Sequence, residues 1–209
     1  MGHIIRVAPF ASMFKTMPEL ASRPQLRAAL IRWVLVLVPA CLLMGILSGV
    51  LSNSGAANAW YAALSKPAIN PPPVVFPVVW SLLYALMGVA MAVVIAARGA
   101  WGRDRAVIAF ALQMVFNLAW SPLFFAAHRI GVALVVLLVL DALVVLCVVT
   151  FWRVRPLAGA LLLPYLAWVL FATLLNWQFL ALNPWADGAL GAPAAAVHLR
   201  IAPAAPKAP

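Results

Sequence analysis

The stretch from Lys66 to Gly88 reads KPAINPPPVVFPVVWSLLYALMG. Three consecutive prolines, Pro71, Pro72 and Pro73, lead into an apolar run that carries Trp80 and Tyr84 four residues apart. A segment that only crossed hydrocarbon would need none of these. Four-residue spacing puts Trp80 and Tyr84 on one face of a helix. Pro77, just before them, lacks a backbone donor and is expected to bend that helix. The proline run favours extended backbone and lowers the entropy lost when the preceding loop becomes ordered.

Working outward from this segment, four more apolar stretches appear. The five run from about Trp33 to Leu51, Val74 to Ala97, Ala106 to Ala127, Ile130 to Trp152 and Leu157 to Leu182. Each is near the roughly twenty residues that carry a helix across the hydrocarbon core. Strands of a membrane barrel would be about half as long and would alternate in polarity. The chain is 67% hydrophobic and 9% charged, whereas a soluble domain is roughly half apolar and a quarter charged. A core of this size cannot hide the excess, so lipid is the natural solvent. The fold class expected is an all-α integral membrane protein, a bundle of five transmembrane helices.

The net charge is +10, but the bases sit in the N-terminal arm and in short loops, without interleaved aromatics. They read as topology signals and as contacts to a lipid membrane, not to nucleic acid. Arg6, Lys15, Arg23, Arg27 and Arg32 share one side with Arg98, Arg103, Arg105, Arg153 and Arg155; the other side holds Lys66, Arg129, Arg200 and Lys207. The N-terminus is therefore expected in the cytoplasm, with the first loop and the C-terminus opposite. The expected setting is a bacterial cell membrane. Residues 1–30 form a basic arm and residues 186–209 an Ala/Pro-rich tail, both expected to be disordered; residues 31–185 form the transmembrane domain.

Cys41 and Cys147 fall inside apolar runs, and His3, His128 and His198 are scattered singly. No metal-ligand spacing results. The chemistry-bearing residues are aromatics and amides. In FALQMVFNLAWSPLFF, Gln113, Asn117 and Trp120 share a helix face; buried amides there either bond neighbouring helices or line a pocket. In PYLAWVLFATLLNWQFLALNP, Pro164, Trp168, Ala172 and Asn176 recur every four residues, with Tyr165 beside the start of the stripe. Turned inward with Trp80 and Tyr84, these faces would wall an apolar cavity with a few polar anchors, suited to a flat conjugated ligand. Trp60 and Tyr61, in the first loop, fit either interfacial anchors or parts of a lid. Lys66, the one base on that loop, is a candidate contact for a ligand carboxylate. Asp141 is the only acid within an apolar run and is a candidate proton or cation site. Gly45 and Gly49 have the small-xxx-small spacing of packed membrane helices.

The stretches WYAALSKP, NPP…FPVVWSLLYALMG, QMVFNLAWSPLFF and PYLAWVLFATLLNW, which run in order from Trp60 to Asn183, closely resemble the TspO/MBR family, the tryptophan-rich sensory proteins whose animal members are called translocator protein or peripheral-type benzodiazepine receptor. The resemblance implies a five-helix bundle, commonly a homodimer, with a ligand pocket beneath the first loop. It implies a membrane sensor or carrier that binds porphyrins of the protoporphyrin type and related tetrapyrroles, with no cofactor required. By matching motif, Trp80 and Trp168 correspond to pocket tryptophans; Tyr61, Asn117, Trp120 and Ala172 match pocket or pocket-edge positions. Tyr84, Tyr165 and Asn176 complete the expected ligand-binding set.

Two alternatives follow. One is a light- and oxygen-dependent porphyrin-degrading enzyme working through the indoles of Trp80 and Trp168, the only catalytic candidates. The other is a proton-coupled exporter using Asp141. The chain also departs from the family pattern. Ala68 and Ile69 stand where many relatives have tryptophans, and the bases of the animal sterol motif are missing after Trp177.

Overall fold

A computed structural model describes residues 23–188. Residues 1–22 and 189–209, most of the basic arm and of the tail, lie outside the described residues. The described chain is all-helical: α1 (Arg23–Leu51), α2 (Ala59–Ala63), α3 (Val75–Ala96), α4 (Arg103–Ser121), α5 (Ile130–Val154), α6 (Pro156–Leu161) and α7 (Leu163–Leu182). A π-helical turn, Pro122–Ala126, extends α4, and a 3-10 turn, Pro184–Ala186, follows α7. Five spans are long and apolar enough to cross a membrane, with α6 and α7 together making the fifth.

The outer surface carries Leu35, Leu43, Leu47 and Val50 of α1, Leu138 and Val145 of α5, and Leu170 and Leu174 of α7, all exposed. In water such continuous apolar surface would drive aggregation. Against hydrocarbon it costs nothing, and the helices keep their backbone groups paired internally. Without a hydrophobic drive between helices in lipid, close packing must hold the bundle together. At α1–α3 it depends on glycine. A Cβ placed on Gly88 would sit 2.7 Å from Cα of Val38, and one on Gly45 would overlap the Tyr84 ring. Gly49 instead faces Ser54 of the loop, so only one of the two spaced glycines packs helix on helix. The core continues through Met87, Val94, Phe110, Leu137, Phe151 and Val169, all buried.

Several expectations need correction. Pro77 lies in the first turn of α3, where its missing N–H would have had no helical acceptor, so it does not interrupt the hydrogen-bond ladder. The proline that does is Pro39, inside α1. The expected arm ends early, because α1 starts at Arg23. The start of the tail is tied down: Gly188 N–H donates to the His128 carbonyl at 2.7 Å, and Gly131 N–H donates to Asp187 at 3.2 Å. The fifth stretch is not one helix, since Leu162 separates α6 from α7.

Candidate functional site

The first loop carries its own helix. Asn58 caps α2, its Oδ1 accepting from Tyr61 N–H at 2.9 Å, which satisfies an otherwise orphan donor of the first turn. The Asn58 amide nitrogen donates to the Asn53 and Phe125 carbonyls, both at 3.1 Å. The Phe125 carbonyl lies in the last turn of the π-helical stretch, where it has no helical donor, and Asn58 takes it up. Trp60 is 2% exposed and stacks on His128 with ring centroids 4.4 Å apart. It is a buried anchor of the loop, not a headgroup-level aromatic. Just past α2, Asn183 holds Ser65 through both sides of its amide. The loop is thus a lid pinned on both sides of α2.

Beneath the lid lies a cavity of about 890 Å³. Its walls come from the second half of α1, the first half of α3, the end of α4 with its π-turn, and α7. Trp80 and Tyr84 of α3, Asn117 and Trp120 of α4, and Trp168, Ala172 and Asn176 of α7 line it, and Tyr61 and Lys66 line it from the lid. These expected site residues are therefore brought together. Tyr165 is not among them: it is 1% exposed and stands behind the wall, its phenol turned toward Gln113 and Asn117. Pro164, at the head of the expected stripe, is exposed on the outside of α7. Sequence reasoning missed Phe76, Phe124 and Phe171, which also line the cavity. Phe76 meets Trp168 edge-on at 6.1 Å, and Trp120 stacks on Phe124 at 5.2 Å. The apolar residues around the tryptophans held this signal.

The polar groups of the wall are mostly engaged by the protein. Tyr84 donates to Asn117 Oδ1 at 2.6 Å, and Asn117 Nδ2 donates to Tyr165 Oη at 2.9 Å. Trp120 Nε1 donates to Asn176 Oδ1 at 3.1 Å, while Asn176 Nδ2 donates to the Ile130 carbonyl at 3.0 Å. Asn176 thereby locks the α4–α5 junction. Among the described residues the exceptions are Trp168, whose buried indole N–H has no partner, and Asn70, whose buried side-chain oxygen has none. Such groups are costly to leave unpaired.

Among the described residues, Lys66 is the only charged residue of the lining. It donates to the backbone carbonyls of Tyr61 and Leu64, closing the end of α2, and stands 3.9 Å over the Tyr61 ring. Partial burial lowers its pKa from the ordinary lysine value, and burial raises that of the Tyr61 phenol, opposed by the Asn70 side chain. Asp141 lies outside the cavity and accepts from Thr173 of α7 at 2.8 Å.

Fold and site together define a polytopic helical membrane protein with a partly open aromatic cavity of small-ligand size under a pinned lid. The model of the TspO/MBR family matches residues 37–182, and the chain belongs to that family. It is 39% identical over 147 residues to the tryptophan-rich protein TspO of Chlorobaculum tepidum, covering 69% of this chain and 91% of that one. It is 41% identical over 121 residues to the human translocator protein, covering 56% and 71%. With the tryptophan-rich sensory protein of Cereibacter sphaeroides it shares 39% over 124 residues, covering 59% and 77%.

Proposed function

We propose that this protein is a membrane sensor or carrier whose cavity takes up porphyrins and related tetrapyrroles, or other flat hydrophobic ligands. The observation that carries the proposal is a cavity of about 890 Å³ lined by Trp80, Trp120 and Trp168. Pockets of roughly 300–1,000 Å³ suit small organic ligands. Indole faces stack on conjugated rings, and Lys66, the sole charge of the lining among the described residues, suits a ligand with a carboxylate. The base distribution supports a cytoplasmic N-terminus, with the lid on the opposite side of a bacterial cell membrane. The homodimer implied by the resemblance belongs to the same proposal; crosslinking in native membranes tests it.

Titrating the purified protein with protoporphyrin should quench its tryptophan fluorescence saturably. The Trp80→Ala, Trp168→Ala double variant should lose most of that quenching at equal ligand. Quenching that survives in full would remove the cavity from the explanation.

A second reading, porphyrin degradation, draws on the presence of Trp80 and Trp168 in one cavity wall. Illumination in air should then yield a porphyrin product absent from protein-free controls. Equal bleaching with and without protein would exclude it.

A further inference from the structure

Behind the cavity wall runs a hydrogen-bond chain with a fixed direction. Tyr84 Oη donates to Asn117 Oδ1 at 2.6 Å, Asn117 Nδ2 donates to Tyr165 Oη at 2.9 Å, and Tyr165 Oη donates to Gln113 Oε1 at 2.8 Å. The Gln113 Nε2 donates to Met87 Sδ at 3.9 Å. Gln113 is 1% exposed, Tyr165 1% and Met87 0%, so no solvent takes part.

The direction is set at the blind end. A thioether sulfur carries lone pairs and no proton. If Gln113 turned its amide over, its oxygen would face that sulfur, acceptor against acceptor, in a low-dielectric interior where an unpaired contact is costly. With Gln113 Nε2 on sulfur, Oε1 must face Tyr165, and Tyr165 must donate. The Tyr165 oxygen then accepts from Asn117 Nδ2, leaving Asn117 Oδ1 for Tyr84, which must donate in its turn. Tyr84 lines the cavity, and its only proton is committed inward. What it offers a ligand is lone pairs.

We infer that the cavity selects ligands that donate a hydrogen bond at Tyr84, and that Met87, which touches no ligand, sets this preference through the chain; the inference rests on the ligand-pocket reading above. The ligand class is therefore a flat, largely apolar molecule with an N–H or O–H donor. A ligand acceptor placed at Tyr84 would meet another acceptor. Tyr84 is a specificity-determining residue and Met87 a positioning residue.

Two planar probes isolate the point. Acridone and xanthone share a tricyclic ketone frame and a carbonyl, but acridone carries a ring N–H where xanthone carries a ring oxygen. Each is titrated into the full-length protein in lipid nanodiscs, with tryptophan quenching as the readout. Acridone should bind about tenfold more tightly, since one hydrogen bond is gained and one acceptor clash avoided. Tyr84→Phe should bring the two probes within about twofold of each other. Met87→Leu conserves volume and frees Gln113 to turn, so it should narrow the preference mainly by improving xanthone. This variant also keeps the test alive if Tyr84→Phe fails to fold. Equal affinities in the unmodified protein, or a preference that survives Tyr84→Phe, overturns the proposal. A preference unchanged by Met87→Leu overturns the role of Met87. If neither probe binds while protoporphyrin does, this proposal alone falls. If protoporphyrin fails as well, the ligand-pocket reading falls with it.

Discussion

Asn183 grips the backbone of Ser65 from both sides: Ser65 N–H donates to Asn183 Oδ1 at 2.7 Å, and Asn183 Nδ2 donates to the Ser65 carbonyl at 3.0 Å. The same Nδ2 donates to the Phe179 carbonyl at 2.9 Å near the end of α7. Asn183 is fully buried. The lid is therefore fastened to the helix that supplies Trp168, Ala172 and Asn176. Asn183→Ala removes both part-buried contacts to Ser65, a cost of about 0.5–1.5 kcal/mol each. Hydrogen exchange should speed up at residues 59–66 while the core of α5 stays protected. Unchanged protection of the lid would show that Asn58 and Trp60 hold it unaided.

Gly88 marks a close approach of α1 to α3. A methyl there would sit 2.7 Å from Cα and 2.8 Å from N of Val38, both backbone atoms that no side-chain rotation can move aside. Gly88→Ala should destabilise the protein by about 1–3 kcal/mol, read as a lower thermal midpoint in detergent. A midpoint equal to that of the unmodified protein would mean that α1 shifts freely against α3.

Lys66 gives the lid a pH dependence. Burial holds its pKa below the ordinary 10.5, so its ammonium loses its proton earlier than an exposed lysine would. For folding, a lowered lysine pKa means that the charged form costs stability. That cost is present below the lowered pKa and is relieved as pH rises toward 10.5, so stability rises across this window. For an acidic ligand the sign reverses: any contribution of Lys66 is present at neutral pH and fades as pH climbs through the lowered pKa. Tyr61, its own pKa raised by burial, keeps its proton over the same range. At this exposed site the contribution is a few-fold in affinity, about 1 kcal/mol at most, and salt-sensitive. Protoporphyrin titrations from pH 7 to pH 10 should show the loss in the unmodified protein and not in Lys66→Ala. The same pH profile in both would make Lys66 solely the cap of α2.

Much of this architecture was legible because it depends on residues close in sequence. The five spans follow from run length, and Trp80 with Tyr84, or Trp168 with Ala172 and Asn176, follow from four-residue spacing. Tyr165 was misplaced because spacing gives only the rough direction of a side chain. It lies three residues before Trp168, and its phenol is drawn to Gln113 and Asn117 behind the wall. The five-residue helix α2 is too short to form alone; its cap by Asn58 and the burial of Trp60 make it possible. The π-turn at Pro122–Ala126 leaves no mark in composition, and the Asn183–Ser65 clamp joins residues far apart in the chain. Pro77 was legible as a proline, but its effect depends on where the helix begins.

The most direct test of the account fills the cavity from its own wall. Ala172 lines it from the middle of α7, where a bulky side chain would occupy ligand space without entering the core between α3 and α5. Protoporphyrin binding to Ala172→Trp in nanodiscs should be measured calorimetrically beside the unmodified protein, with the thermal midpoints compared. The account predicts at least a tenfold loss of affinity, about 1.4 kcal/mol or more, at a near-unchanged midpoint. Undiminished protoporphyrin binding by the folded Ala172→Trp protein would contradict it.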